Sequence, residues 1–262
     1  MSTSLDFVET LAQKTGLMLT QYFRLEGVDA DLKSDRTMVT EADLAADSLI
    51  RQEIQAAYPD DLILTEETNQ VRLSPDRPLW VVDPLDGTTN FSLGLHTWGV
   101  SIARLVAGYP ETAALYFPLY QELYSAGRGQ GAYLNHQPLK ITPHPKQHTT
   151  AFFACCSRTL QKYDVSLRYK TRILGAAAYD FCCVARGAAI AAFQATSKIW
   201  DIAAGWLVLE EAGGIAELYG GGSPFPYLPE SAYANTIYPT MMSANLEVAK
   251  KLRAGIKTKP QK

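Results

Sequence analysis

The chain has 262 residues, of which 47% are apolar and 19% are charged, and its formal net charge is −3. A chain of this length and composition can bury a large hydrophobic core, which excludes an intrinsically disordered protein. Its basic residues do not mark a surface for nucleic acid, so we expect no nucleic-acid partner. No apolar run approaches the roughly 18 residues of a membrane span, so we expect no membrane partner.

The N-terminus and the cysteines favour a cytoplasmic protein. Residues 1–10 include Asp6 and Glu9 and lack the basic and apolar regions of a secretory signal. The cysteines form two adjacent pairs, at 155–156 and 182–183, without the Cys-x-x-Cys spacing of zinc or thiol-redox sites. We interpret them as buried, reduced thiols.

Hydrophobic periodicity predicts the elements of the first third of the chain. Apolar residues recur every three or four positions from Leu5 and stop near Gly27, which predicts a first helix. A second helix is predicted from a cap at Thr40 to about Tyr58. Short apolar runs predict strands at residues 37–39, 62–64 and 79–82.

The rest of the chain is predicted as an antiparallel sheet followed by alternating strands and helices. The sheet has strands at residues 97–105, 112–117 and 122–126 and a hairpin reversal at 135–136. The last third has strands at residues 152–155, 189–193 and 240–243, and helices at 180–186, 202–212 and 246–254.

This order of elements predicts an α/β protein of the layered α+β type, in which helix and sheet layers are stacked. Neither a linker nor a repeat interrupts the sequence. We therefore expect one domain over residues 1–262, built from two tightly joined halves at about residues 1–145 and 146–262.

The most informative segment is residues 80–91, with the sequence WVVDPLDGTTNF. A strand is predicted to end at Asp83, Pro84 forces a turn, and a short helix is predicted after Asp86. Two carboxylates three residues apart can converge on one hard cation, and Mg²⁺ prefers such oxygen ligands. N–H groups at the start of the helix can bind a phosphate oxygen. The alternative is that both aspartates only cap a turn.

Further acidic residues lie on either side of this segment. Glu66 and Glu67 follow a predicted strand, where either a metal or open solvent would compensate their repulsion. Asp43 follows Thr40 by three residues, which fits a capping box. Asp201 precedes an apolar helix, and its alternative role is to be the N-cap of that helix.

In combination, these segments resemble the inositol monophosphatase family, within the lithium-sensitive phosphatase superfamily. Residues 80–91 are similar to the first signature of that family, and residues 200–205 followed by 211–214 resemble the second. Residues 129–135 resemble its central hairpin. The resemblance spans roughly residues 5–255.

The resemblance implies a role for each matching residue. The implied metal ligands are Glu66, Asp83, the Leu85 carbonyl, Asp86 and Asp201, holding two or three Mg²⁺ ions per site. The implied catalytic residues are Asp43, Glu66 and Thr88, which would orient and activate a water molecule. The implied phosphate and substrate contacts are Gly87, Thr88, Ala177 and Gln194, with Lys33 near the phosphate side.

The resemblance also implies a fold and an activity. We expect an α-β-α-β-α sandwich that forms a homodimer and is inhibited by lithium. We expect it to hydrolyse a small phosphate monoester, such as an inositol monophosphate or a similar sugar or polyol phosphate.

One position departs from the inositol-specific members of the family. They have a glutamate seven residues before the second-signature aspartate, and this chain has Gln194 there. Glutamine keeps an acceptor and adds a donor, but it loses the charge that strengthens bonds to hydroxyls. The alternative substrates are therefore histidinol phosphate, fructose 1,6-bisphosphate and adenosine 3′,5′-bisphosphate. A non-catalytic regulatory protein is a further alternative, although none of the implied carboxylates is missing.

Overall fold

The computed structural model describes residues 3–32, 38–68, 74, 76–142, 151–227, 233 and 236–260. Lys33 and Thr37, which the sequence analysis singled out, lie outside these residues. None of the helices in the described ranges has the length and apolar character needed to cross a membrane.

The helices alternate in chain order with groups of strands. In the described residues they are α1 (Ser4–Tyr22), α2 (Glu41–Ala57), α3 (Thr88–Ser92), α4 (Ser157–Lys162), α5 (Ala177–Ala185), α6 (Ile199–Glu211) and α7 (Leu246–Gly255). Side-chain caps fix the N-termini of two of these helices. The Thr3 and Asn245 side chains accept hydrogen bonds from backbone N–H groups of α1 and α7.

The first large sheet has seven strands, in the order β3-β4-β5-β6-β7-β8-β9. The strands are β3 (Leu62–Thr65), β4 (Leu79–Asp86), β5 (Gly99–Val106), β6 (Tyr109–Phe117), β7 (Glu122–Gly127), β8 (Gly131–Leu134) and β9 (Gln137–Leu139). Only the β3–β4 pair is parallel within this sheet. The ends of β3 and β4 therefore lie side by side at one edge.

The second large sheet has five strands, in the order β12-β10-β13-β15-β14. The strands are β10 (Phe152–Cys155), β12 (Lys170–Arg172), β13 (Ala189–Gln194), β14 (Ile215–Leu218) and β15 (Thr240–Ser243). The pairs formed by β10 with β12 and β13 are parallel. Two small antiparallel sheets pair β1 (Asp31–Leu32) with β2 (Met38–Val39), and β11 (Tyr163–Val165) with β16 (Ile256–Thr258).

Alternation along the strands builds the layers. In β4, Trp80 and Val82 point to the core under α1 and α2, whereas Leu79 and Val81 point to the core under α5 and α6. The opposite face of α5 and α6 covers the second sheet, and α7 packs on the far side of that sheet. The order of layers is thus α-β-α-β-α, which confirms the expected sandwich.

Most predicted elements are confirmed to within a few residues, and the differences have local causes. Helix α1 ends at Tyr22 rather than near Gly27, because Phe23 is extended and its ring packs against Phe91 and Trp98. The sequence analysis missed several short elements, namely α4, β1, β11, β12, β14 and β16. Strands of two to four residues contain too few positions to show a period.

Helices α5 and α6 begin earlier than the sequence predicted, and both start next to the cavity described below. The predicted starts were residues 180 and 202, and the observed starts are Ala177 and Ile199. The helices approach closely, because an atom placed at the Cβ position of Gly205 would lie 2.5 Å from the Phe181 ring. Gly205 therefore sets the separation of the two helices that border the cavity.

We expect Gly205→Ala to lower the free energy of unfolding by about 1–3 kcal/mol, because the added methyl group overpacks the α5–α6 contact. This loss would exceed the gain of about 1 kcal/mol that alanine brings to a helix. Urea denaturation measures the difference. Gly220→Ala is the matched control, since no atom lies within 4 Å of its Cβ position. Equal stability of the two variants would contradict the close contact.

Candidate active site

Two acidic side chains meet where the pairing of the parallel strands β3 and β4 ends. Thr65 pairs with Val82, and the Glu66 N–H continues the ladder by donating to the Val82 carbonyl at 3.1 Å. Glu66, just after β3, and Asp83, within β4, therefore lie side by side at the same level. Asp83 is buried and Glu66 is half-buried.

The Asp83–Asp86 turn is a bulge inside β4 rather than the end of the strand. Asp83 pairs with Ser101 and Asp86 with Gly99, and the register shifts between them. The Asp83 carboxylate accepts the Leu85 N–H at 3.0 Å, which holds the bulge. The strand predicted to end at Asp83 thus continues to Asp86, and the extra residues turn both carboxylates toward the cavity.

The third acidic side chain comes from the first turn of α6. Asp201 is the third residue of the helix rather than its N-cap, and its carboxylate accepts the Lys198 N–H at 2.8 Å. The helix is tied to the first sheet because the Ser101 hydroxyl donates to the Trp200 carbonyl at 3.4 Å. Since Ser101 pairs with Asp83, this contact places Asp201 beside Asp83.

Glu66, Asp83 and Asp201 each present a carboxylate oxygen, and these oxygens lie within 4.8 Å of one another. Burial, followed by the charges of Glu66, Asp86 and Asp201, raises the pKa of Asp83 well above its usual value. Burial raises the pKa of Asp201 to about 6, although the Lys198 N–H bond and the Lys198 charge act in the opposite direction. The cluster has the donor atoms and the excess negative charge that suit a hard divalent cation.

Asp86 lines the same cavity but lies outside this cluster. Its two oxygens accept the Ala177 and Ala178 N–H groups, each at 3.0 Å, at the start of α5. Burial and the Asp201 charge raise the pKa of Asp86 well above its usual value, while the two N–H bonds lower it. Asp86 therefore connects the first sheet to α5 as well as contributing charge to the cavity.

Asp43 contacts Thr88 on the side away from the cavity. The Thr88 hydroxyl lies 3.0 Å from both the Asp43 carboxylate and the Leu85 carbonyl, to which it can donate. The other Asp43 oxygen accepts the Thr40 N–H at 2.8 Å and the Thr40 hydroxyl at 2.6 Å. Asp43 thus forms the predicted capping box of α2 and also orients Thr88.

Gly87 precedes Thr88 in a left-handed conformation, with φ of 88°. A Cβ at this position would lie 2.8 Å from the Thr97 carbonyl, so only glycine fits. The short helix α3 follows, as predicted. The N–H groups at its start have no acceptor within the helix, and both Gly87 and Thr88 line the cavity.

The acidic cluster opens into a cavity of about 390 Å³ between the edges of the two large sheets. Of the residues singled out in the sequence, those on its lining are Glu66, Asp83, Leu85, Asp86, Gly87, Thr88, Ala177, Gln194 and Asp201. Asp43 is behind Thr88 rather than on the lining. The structure therefore brings together all the predicted site residues that it describes.

Gln194 ends β13 and is buried in the cavity wall. Its amide nitrogen donates to a carboxyl oxygen of Asp180, a buried residue of α5. Burial raises the pKa of Asp180 to about 8, and this hydrogen bond lowers it in part. The sequence did not indicate this contact, because a lone aspartate in an apolar helix has no distinguishing pattern.

Ser157 and Arg158, which resemble a Ser-Arg step of the family near the substrate, also lie in the cavity wall. Thr196 and Ser197, to which the sequence gave no role, lie there too. Arg158 is the one basic side chain among the described residues of the lining. Its position next to the end of β10 accounts for this placement, since the ends of parallel strands meet at one edge of a sheet.

Comparison with known sequences gives the same family along the whole chain. A sequence model described as the inositol monophosphatase family matches residues 1–254. Nus factor SuhB of Escherichia coli K12 is 33% identical over 262 residues, covering 94% of this chain and 96% of that protein. Nus factor SuhB of Pasteurella multocida is 35% identical, covering 86% of this chain and 88% of that protein.

Two solved structures share the fold. The extragenic suppressor protein suhB of Bartonella henselae matches with a TM-score of 0.82 and 27% identity, covering 97% of this chain and 98% of that chain. The IMPase of Thermotoga maritima matches with a TM-score of 0.77 and 25% identity, covering 95% of each chain. From the match over residues 1–254, together with the layered fold and its acidic cavity, we conclude that the chain belongs to the inositol monophosphatase family.

Proposed function

We propose that the chain is a Mg²⁺-dependent phosphatase that hydrolyses a small phosphate monoester with water. The observation that carries this proposal is the convergence of Glu66, Asp83 and Asp201 oxygens within 4.8 Å, at the floor of a cavity that also exposes Gly87 and Thr88. A cavity of about 390 Å³ suits a small polyol or sugar phosphate.

The proposed metal-holding residues are Glu66, Asp83, Asp86, Asp201 and the Leu85 carbonyl. They fit Mg²⁺ because all of their donor atoms are oxygens. Bound Mg²⁺ supplies positive charge that polarises a phosphate oxygen and lowers the pKa of a water molecule. The family resemblance implies two or three ions per site, and two Mg²⁺ ions would balance the charge of the four carboxylates on the lining.

Thr88 and Asp43 are proposed to orient the attacking water. The Thr88 hydroxyl donates toward Asp43 or Leu85, so its oxygen remains able to accept a hydrogen bond from water. Water held in this way would present its oxygen to the phosphorus. The N–H groups of Gly87 and Thr88 would hold the phosphate oxygens. Glu66 would contribute a second acceptor for the water.

For the part of the substrate that carries the phosphate group, we propose two candidates. An inositol monophosphate or a similar polyol phosphate is the first candidate. Gln194 favours another small ester as the second, because a neutral amide takes the place of the carboxylate that inositol-specific members use. Histidinol phosphate, fructose 1,6-bisphosphate and adenosine 3′,5′-bisphosphate are such esters. Homodimer formation, lithium inhibition and a cytoplasmic location also stay predictions.

We expect Asp83→Asn to lower Mg²⁺-dependent phosphatase activity by more than about a hundredfold, because it removes an anionic ligand from the cluster. The variant should nevertheless melt at a higher temperature than the wild type without metal, since one buried repulsive charge is gone. Phosphate release and thermal denaturation measure the two effects. Asp164→Asn, an exposed substitution on β11, is the control and should leave both unchanged. Normal turnover by folded Asp83→Asn would refute the assignment.

We expect Mg²⁺ to raise the melting temperature by several degrees, and by more at about pH 8 than at about pH 5.5. Raised carboxyl pKa values mean that the folded chain binds protons more tightly than the unfolded chain. Stability without metal therefore falls as the pH rises from 3.8 through about 6, the raised pKa of Asp201. Mg²⁺ takes the place of those protons. If Mg²⁺ raises the melting temperature equally at both pH values, then Mg²⁺ and protons do not compete for the same carboxylates.

We expect Thr88→Ala to lower kcat by roughly 10²–10⁴-fold, the usual contribution of a positioned proton-transfer group. Stabilisation by Mg²⁺ should persist, because Thr88 contributes only a hydroxyl group that faces Asp43 and Leu85. Thr88→Ser keeps the hydroxyl and is the matched control. If Thr88→Ser loses as much activity as Thr88→Ala, the hydroxyl is not the group that orients the water.

We expect the pair Gln194→Glu and Asp180→Asn to raise kcat/KM for inositol 1-phosphate by about tenfold, because a charged acceptor binds hydroxyls more strongly than a neutral one. Gln194→Glu alone should gain less, since its carboxylate would repel Asp180. In the double variant, the amide introduced at position 180 can donate to the new carboxylate. An equal change for every ester in a panel would show that position 194 does not set specificity.

A further inference from the structure

The cavity has one acidic wall and one wall without acidic side chains among its described residues. Each wall is formed by one of the two large sheets. Glu66, which follows β3, and Asp83, at the bulge of β4, belong to the first sheet and form an acidic wall. The second wall belongs to the parallel strands β10 and β13, whose ends lie side by side because Cys155 pairs with Phe193. The residues that follow, Arg158 after β10 and Gln194 at the end of β13, both line the cavity.

Arg158 is positioned to meet a ligand. It lies in the first turn of α4, which is fixed to β13 because the Thr159 hydroxyl donates to the Phe193 carbonyl at 2.9 Å. Its guanidinium has neither a hydrogen bond nor an ion pair with any described residue, and the side chain is exposed toward the cavity. A guanidinium presents several donors that match the geometry of a phosphate or a carboxylate.

The charge of the second wall also favours an anionic ligand. Gln194 is neutral, and its amide nitrogen is engaged with Asp180, so the carbonyl oxygen is the end of the amide that remains for a ligand. The described part of this wall that reaches the cavity therefore combines one cation with neutral acceptors and donors. A carboxylate at position 194 would instead stand at the same sheet edge as Arg158 and offset its charge.

We propose that Arg158 and Gln194 form a subsite for the end of the substrate away from the reacting phosphate, and that this subsite selects esters with a second anionic group. Arg158 binds that second group, which is a phosphate or a carboxylate, while Gln194 accepts a hydrogen bond from a substrate hydroxyl. This inference rests on the proposed phosphatase activity and narrows its substrate class.

Matched pairs of esters test the subsite. Fructose 1,6-bisphosphate is compared with fructose 1-phosphate, and 3-phosphoglycerate with glycerol 3-phosphate, so that the two pairs separate a second phosphate from a carboxylate. We expect Arg158→Gln to lower kcat/KM for the doubly anionic member of at least one pair by about tenfold, since an exposed charge-assisted contact is partly screened. The singly anionic member should change by less than about twofold.

Arg172→Gln is the control, because this exposed arginine on β12 does not line the cavity. It should leave the ratio of the two kcat/KM values unchanged, whereas Arg158→Lys should retain part of the preference. The wild-type preference should also weaken as salt is added.

Each failure has a distinct signature. If the wild type hydrolyses neither inositol 1-phosphate nor any ester of either pair with Mg²⁺, the proposed function fails and the subsite fails with it. If it hydrolyses inositol 1-phosphate but no ester of either pair, the proposed function stands and the subsite is overturned. If the wild type is active and Arg158→Gln leaves both ratios unchanged, or lowers both members of each pair equally, only the subsite is overturned. Arg158 is then a solvated surface residue.

Discussion

Glu66, Asp83 and Asp201 bring carboxylate oxygens within 4.8 Å of one another in a largely buried place, and this repulsion is the constraint around which the site is arranged. Two full charges about 5 Å apart repel by about 3 kcal/mol at an effective dielectric constant of about 20. A typical domain is stable by only about 5–15 kcal/mol. The cluster therefore needs compensation beyond the Lys198 charge and the backbone N–H groups, and bound protons or a divalent cation can supply it.

The fold supplies the rigidity that holds such a cluster together. A parallel strand pair sets Glu66 beside Asp83, a bulge turns Asp86 inward, and α6 brings Asp201 against the same sheet. Helix α5 neutralises part of the Asp86 charge with two N–H groups. Because these positions come from both sheets and from the helix layer between them, the acidic centre and its cavity depend on the whole sandwich.

Much of this arrangement could be predicted from the sequence, because residues 80–91 combine a strand, a turn and a helix start with distinctive side chains. The order of the predicted elements indicated stacked helix and sheet layers, and the family resemblance implied their α-β-α-β-α order. The bulge between Asp83 and Asp86 could not be predicted, since it depends on pairing with β5, which is distant in sequence. The contact between Gln194 and Asp180, and the position of Arg158 on the cavity wall, arise only when β10, β13 and α5 pack together.

The most direct test of the account is the number of protons released when Mg²⁺ binds, measured by titration calorimetry in buffers of different ionisation enthalpy. Burial raises the pKa of Asp201 to about 6 and also raises the pKa values of Asp83 and Asp86, so the metal-free cluster should bind protons near pH 6 more tightly than isolated carboxyl groups do. Mg²⁺ should therefore bind with proton release near pH 6, and the release should decline as the pH is raised. Absence of Mg²⁺ binding, or binding without proton release near pH 6, would contradict the account.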